Sequence, residues 1–197
     1  MELEAASTDA RSTVSDSAPD DEVVARCRDG DVDEFRVIVE RYGDYVFRTI
    51  YLMTRDRQLA EDLTQETFVS AWRGLRGFRL GSPFRPWLMR IAVNGLQSHR
   101  RRRLLPFIPL PLAGGSARSR DPSPETRAED AATGEELRRA LAELRDEQRH
   151  ALVLRYYAEL SVPEIARATG WRDGTVKSRL HRALARMRLK IERMDEV

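Results

Sequence analysis

Apolar residues along the chain recur at steps of three and four, the spacing of one face of an α-helix. Phe35, Ile38, Val39, Tyr42, Val46, Ile50 and Met53 fall on one stripe of a long helix, which Asp31 or Asp33 is placed to cap. Gly43 lies inside that helix, at a cost of about 1 kcal/mol relative to alanine, so the packing must tolerate or use the missing side chain. A second helix is predicted from about Arg57 to Leu75. Leu59, Leu63, Phe68, Trp72 and Leu75 make its apolar side, and Asp62, Gln65 and Glu66 its polar one. A glycine-containing loop follows, then a third helix from about Phe84 to Arg103. Its core-facing band is Trp87, Leu88, Ile91, Ala92, Gly95 and Leu96; Arg90, Asn94, Gln97 and Arg101 line the opposite stripe.

The periodicity lapses from Leu104 to about Thr133, where prolines, a Gly-Gly pair and serines predict a linker. Its first part, Leu104 to Leu112, is unusually apolar. Prolines 106, 109 and 111 favour an extended path there, suited to lying in a groove. Helical spacing returns with Leu137, Ala140, Leu141 and Leu144, then Leu152, Tyr156 and Leu160. Ser161 and Glu164 have capping-box spacing. The short helix they open ends before Gly170, and Asp173 is placed to cap the next, with Val176, Leu180, Leu184, Met187 and Ile191 inward. Two short helices about a glycine-centred turn, the second strongly basic, predict a helix-turn-helix. Lys177, Ser178, His181 and Arg182 then project outward, with Arg179 at the flank.

Charge changes the picture more than length does. The 197 residues carry a formal charge of only +2, yet the signs are segregated. Arg73 to Arg103 contains nine arginines and no aspartate or glutamate, and Gly174 to Lys190 is again purely positive. The first 22 residues hold seven acids against Arg11; they lack periodicity and are expected to be disordered. A solvated helix face serves solubility with mixed signs, so two acid-free basic segments point to two contacts with a polyanion, nucleic acid first. The single cysteine, Cys27, excludes an internal disulfide and a cysteine-rich zinc site, and His99, His150 and His181 have no ligand spacing. No metal, cofactor or catalytic residue is expected. There is no glycine-rich phosphate loop and no convergent His/Cys/carboxylate set, which argues against an enzyme. The absence of a long apolar run and of a signal-peptide core predicts a soluble protein of a reducing compartment, the cytoplasm.

Two motifs carry a resemblance. "AEDLTQETFVSAWRGLRGFR" with "FRPWLMRIAVN", and "LSVPEIARATGWRDGTVKSRLHRALARM" further on, resemble the extracytoplasmic-function sigma factors of the sigma-70 family, initiation subunits of bacterial RNA polymerase. The resemblance implies an all-α chain of two small helical domains: region 2 over residues 23–103 and region 4 over 134–193. An acidic tail at 1–22 precedes them and a flexible linker at 104–133 joins them. It implies core RNA polymerase, promoter DNA and an anti-sigma factor as partners, with no small-molecule substrate and no membrane insertion. Asp62, Gln65 and Glu66 would bind the polymerase. The loop Phe78 to Phe84, including Arg79, and the stripe Arg90, Asn94, Gln97 and Arg101 would take the −10 element as a single strand. Lys177, Ser178, Arg179, His181 and Arg182 would read the −35 duplex. Trp87 reads as core rather than as a stacking platform. The chain departs from the family's usual pattern at Leu80, Trp171 and Asp173. A duplex-binding regulator with only the C-terminal motif would leave the stretch from Arg73 to Arg103 unexplained.

Overall fold

The computed structural model describes residues 20–28, 30–104 and 138–195, and the side chains among them except 103, 104 and 189–195. The acidic tail lies outside this range up to residue 19, and the linker lies outside it from residue 105 on. Among the described residues there are eight α-helices, one 3₁₀ turn and no strand.

Helix α1, Asp20–Arg28, brings three acids to its first turn and buries Val23, Val24 and Cys27. Carboxylates there complement the positive end of the helix dipole. Asp20 also accepts from Arg41 Nη1 at 2.8 Å and from the Tyr42 hydroxyl, which ties α1 to α2, Val32–Thr54. Asp31 caps α2, accepting from the N–H groups of Asp33 (2.9 Å) and Glu34 (3.2 Å). The expected stripe is buried at Ile38, Tyr42, Val46, Ile50 and Met53. Gly43 faces open space, since a Cβ there would meet nothing within 4 Å. Asp56 caps α3, Arg57–Gly74, which runs into the 3₁₀ turn Leu75–Gly77. After the loop comes α4, Phe84–Leu104, with no acid in its first turn.

The C-terminal half comprises α5 (138–142), α6 (Asp146–Tyr156), α7 (Val162–Thr169) and α8 (Asp173–Asp195). Glu164 reaches back to the Ser161 backbone N–H at 2.8 Å, completing the capping box that opens α7. Gly170 ends it at φ +72°, where only glycine avoids a Cβ penalty. Asp173 is not the cap of α8. It is the first helical residue, and the N–H groups of Thr175 and Val176 bond to the Arg172 carbonyl instead.

The two halves share one core. Val93 and Leu96 of α4 and Ile50 of α2 belong to the same buried cluster as Leu154, Ile165, Ala168 and Val176. Helix α4 packs on α7, and α2 on α6. Hydrogen bonds cross the same boundary: Tyr45 Oη to the Ala158 carbonyl (3.0 Å), Gln97 Nε2 to the Thr169 carbonyl (2.9 Å) and Arg149 Nε to the Met53 carbonyl (3.0 Å). Arg100 pairs with Asp146 at 2.8 Å.

Candidate nucleic-acid interface

The loop before α4 is a tight turn on an aromatic base. Ser82 N–H donates to the Arg79 carbonyl at 3.1 Å, and Gly81 has φ +81°. That is the third position of a type II turn, which demands positive φ. Phe78, Phe84 and Trp87 pack mutually with ring centroids 5.0–5.6 Å apart, and Tyr42 adds a fourth ring 5.3 Å from Phe84. Phe78 and Phe84 are each 4% exposed. As placed, their rings are the foundation of the loop and offer no free face for stacking. Trp87 packs against the same core. Arg79 and Leu80 stand out at the tip.

From that base α4 projects Arg90, Asn94 and Arg101 into solvent; Gln97 is half-buried, tied to Thr169 of α7. A helix carrying only cations and amides on its exposed side suits phosphates and base edges. On α8, Lys177, His181 and Arg182 are exposed, while Ser178 and Arg179 are half-buried. Arg182 Nη2 donates to Ser178 Oγ at 3.2 Å, and that hydroxyl donates to the Thr175 carbonyl, so the pair is pre-positioned on the outer face. Arg179 differs. Its guanidinium lies 3.8 Å over the Trp171 ring, and among the described residues its Nη1 is buried without a hydrogen-bond partner. Together with Gln97, Arg100 and Arg101 it lines a cleft of about 300 Å³ between the halves. Part of each basic surface therefore faces the other half.

Asp62, Gln65 and Glu66 are exposed on one side of α3. Asp62 accepts from Gln58 at 3.1 Å, and Glu66 lies 4.0 Å from Arg102. Val69, 44% exposed, continues this face one turn further on. Its spacing from Asp62, seven residues, places it on the same side of the helix.

Behind these surfaces the boundary between halves holds several perturbed groups. Burial, aided by Arg100 and Arg149, drives His150 down to about 4. Burial pushes Asp146 up, but its bond to Arg149 and the charges of Arg149 and Arg100 outweigh that and leave it below the usual value. Burial likewise raises the Tyr45 phenol to about 12, which keeps it a donor to Ala158.

Comparison with known proteins gives matches in both halves. The family described as Sigma-70 region 2 matches residues 38–104, and Sigma-70 region 4 matches 134–187. The ECF RNA polymerase sigma factor SigE of Mycolicibacterium smegmatis is 37% identical over 77% of this chain; the match spans 59% of that relative's length. RNA polymerase sigma factor YlaC of Bacillus subtilis is 35% identical over 83% of this chain and 91% of its own. Among solved structures, sigma factor RpoE in complex with the anti-sigma factor NepR, from Bartonella quintana, has a TM-score of 0.60 at 24% identity. That similarity covers 82% of this chain and 98% of RpoE, and is a likeness of fold.

Proposed function

The chain belongs to the sigma-70 family of RNA polymerase sigma factors, in its extracytoplasmic-function group, and from that premise we propose that it directs core RNA polymerase to promoters with separate −35 and −10 elements. The observation that carries this reading is the acid-free segment from Arg73 to Arg103. It runs from the end of α3 through the 3₁₀ turn and the loop into α4, and along α4 it exposes Arg85, Arg90, Asn94, Arg100, Arg101 and Arg102. Arg79, Arg90 and Arg101 neutralise phosphates of the −10 strand, and Asn94 offers an amide to a base edge. The base is taken out of the stack beside the turn, whose aromatic foundation keeps it in place.

Lys177, Ser178, His181 and Arg182 present donors to the major groove of the −35 duplex, as recognition helices do. Asp62, Gln65, Glu66 and Val69 make the polymerase contact. A polymerase partner places the protein in the cytoplasm. An anti-sigma factor completes the partner set; the fold neighbour RpoE is itself held by one.

Serving both elements requires a change of arrangement. They lie roughly 25 base pairs apart, about 85 Å at 3.4 Å per base pair, whereas α7 rests directly on α4. Promoter engagement therefore separates the halves, freeing Gln97 and Arg179. The discriminating experiment is Arg182→Ala. Loss of −35-dependent transcription with core binding intact is expected, from a base contact worth about 1–3 kcal/mol. Equal loss of polymerase binding would make the residue structural.

A further inference from the structure

The basic segment has a neighbour with no role so far: helix α1, which lies outside the residues matched by the region 2 description. Its first turn touches the −10 turn. Asp21 Oδ1 accepts from the Gly81 N–H at 3.2 Å, the turn N–H that the Ser82–Arg79 bond leaves free. Asp20, held by Arg41 and Tyr42 of α2, fixes the start of α1, and α1 also packs on the 3₁₀ turn 75–77. Between α1 and this loop lies a cleft of about 300 Å³ lined by Ala25, Arg28, Arg76 and Leu80. Two guanidiniums line it and, among the described residues, no carboxylate does.

We propose that this cleft is a second nucleotide subsite, which takes the single-strand nucleotide next to the base captured at the turn. The inference rests on the reading of the turn as the −10 capture loop. Its chemistry follows from the lining. Arg28, in the last turn of α1, and Arg76, in the 3₁₀ turn, offer planar forks that match a phosphodiester. Leu80, 41% exposed, and Ala25 supply apolar surface for a sugar or base face. A volume at the lower end of small-ligand sites admits one nucleotide of a separated strand and not a base pair. Asp21 then acts as a positioning residue, which sets the distance between the two subsites by holding the turn to α1.

The test uses holoenzyme and a template already melted at −10, its sequence taken from a promoter mapped by transcript 5′ ends. Arg28 and Arg76 are exposed, so Arg28→Gln and Arg76→Gln leave the core untouched. Each should flatten the slope of log affinity against log salt by about 0.7, the value for one single-strand phosphate contact. A template with one neutral methylphosphonate linkage beside the captured base should bind the wild type more weakly and the double variant no worse than an unmodified template does. Unchanged slopes together with an unchanged methylphosphonate profile would overturn the subsite. Arg79→Gln and Asn94→Ala separate the two levels of the argument. If they weaken binding while the Arg28 and Arg76 variants do not, the capture loop stands and the subsite falls; if none has an effect, both fall.

Discussion

Arg149 is a charged side chain with 2% of its surface exposed, a placement that is costly unless every donor is used. It donates to the Met53 carbonyl at 3.0 Å, to the Leu144 carbonyl at 3.3 Å and to Asp146 at 2.6 Å. The Met53 carbonyl belongs to the C-terminal turn of α2, where unpaired carbonyls and the helix dipole favour a cation. Arg149→Ala should therefore cost about 3 kcal/mol in urea unfolding; a loss under 1 kcal/mol would show that the bonds are replaced by water. Next to it, His150 adds a pH dependence whose sign is fixed by its lowered value of about 4. Above pH 6.5 the imidazole is neutral folded or unfolded and contributes nothing. Between 6.5 and 4 only the unfolded chain gains the proton, so stability falls with pH, by about 3 kcal/mol at most. His150→Gln should flatten that part of the stability profile. Two glycines give opposite expectations. Gly43→Ala, in a helix with open space around it, should stabilise by up to about 1 kcal/mol. Gly170→Ala, at φ +72°, should destabilise by about as much.

At the scale of elements, long stripes were legible in the sequence and short or two-sided ones were not. Helix α2 is recognisable from seven apolar positions, and α7 and α8 from the capping box and the glycine between them. Helix α1 was missed as an element because nine residues with three buried positions make too brief a period to stand out beside an acidic tail. Met89 and Val93 of α4 are buried outside the expected band, since α4 packs on α7 as well as on α3; a sequence stripe reports one contact face, not two. The candidate site divides similarly. Exposed cations at Arg90, Lys177 and Arg182 follow from helical spacing. The enclosure of Phe84 and Arg179 draws on partners distant in the chain, Tyr42 of α2 against the ring and Gln97 and Arg100 of α4 across the cleft from the guanidinium. The polar face of α3 gives an element-scale prediction. Reversing both charges, Asp62→Lys with Glu66→Lys, should abolish binding to core polymerase, measured by co-elution, with the helical circular-dichroism signal unchanged. Retained binding would contradict the assignment.

For the whole molecule, the halves are closed on each other through one core, while the promoter reading requires them apart. Dyes placed on exposed Ser70 of region 2 and Arg186 of region 4 should report one defined distance in the free protein. In the presence of core enzyme and promoter DNA the distance should be longer. Arg149→Ala should shift the free protein towards the longer one, because it removes bonds that hold the halves together. The opening on promoter DNA rests on the claim that the protein confers promoter choice on core polymerase. The most direct measurement is transcription by purified core RNA polymerase from its own cell, with and without stoichiometric protein, on genomic fragments. Discrete transcripts that need the protein, from start sites sharing two spaced upstream elements, are the expected result. An identical transcript pattern with and without it, and no complex with core polymerase on size-exclusion chromatography, would contradict the claim.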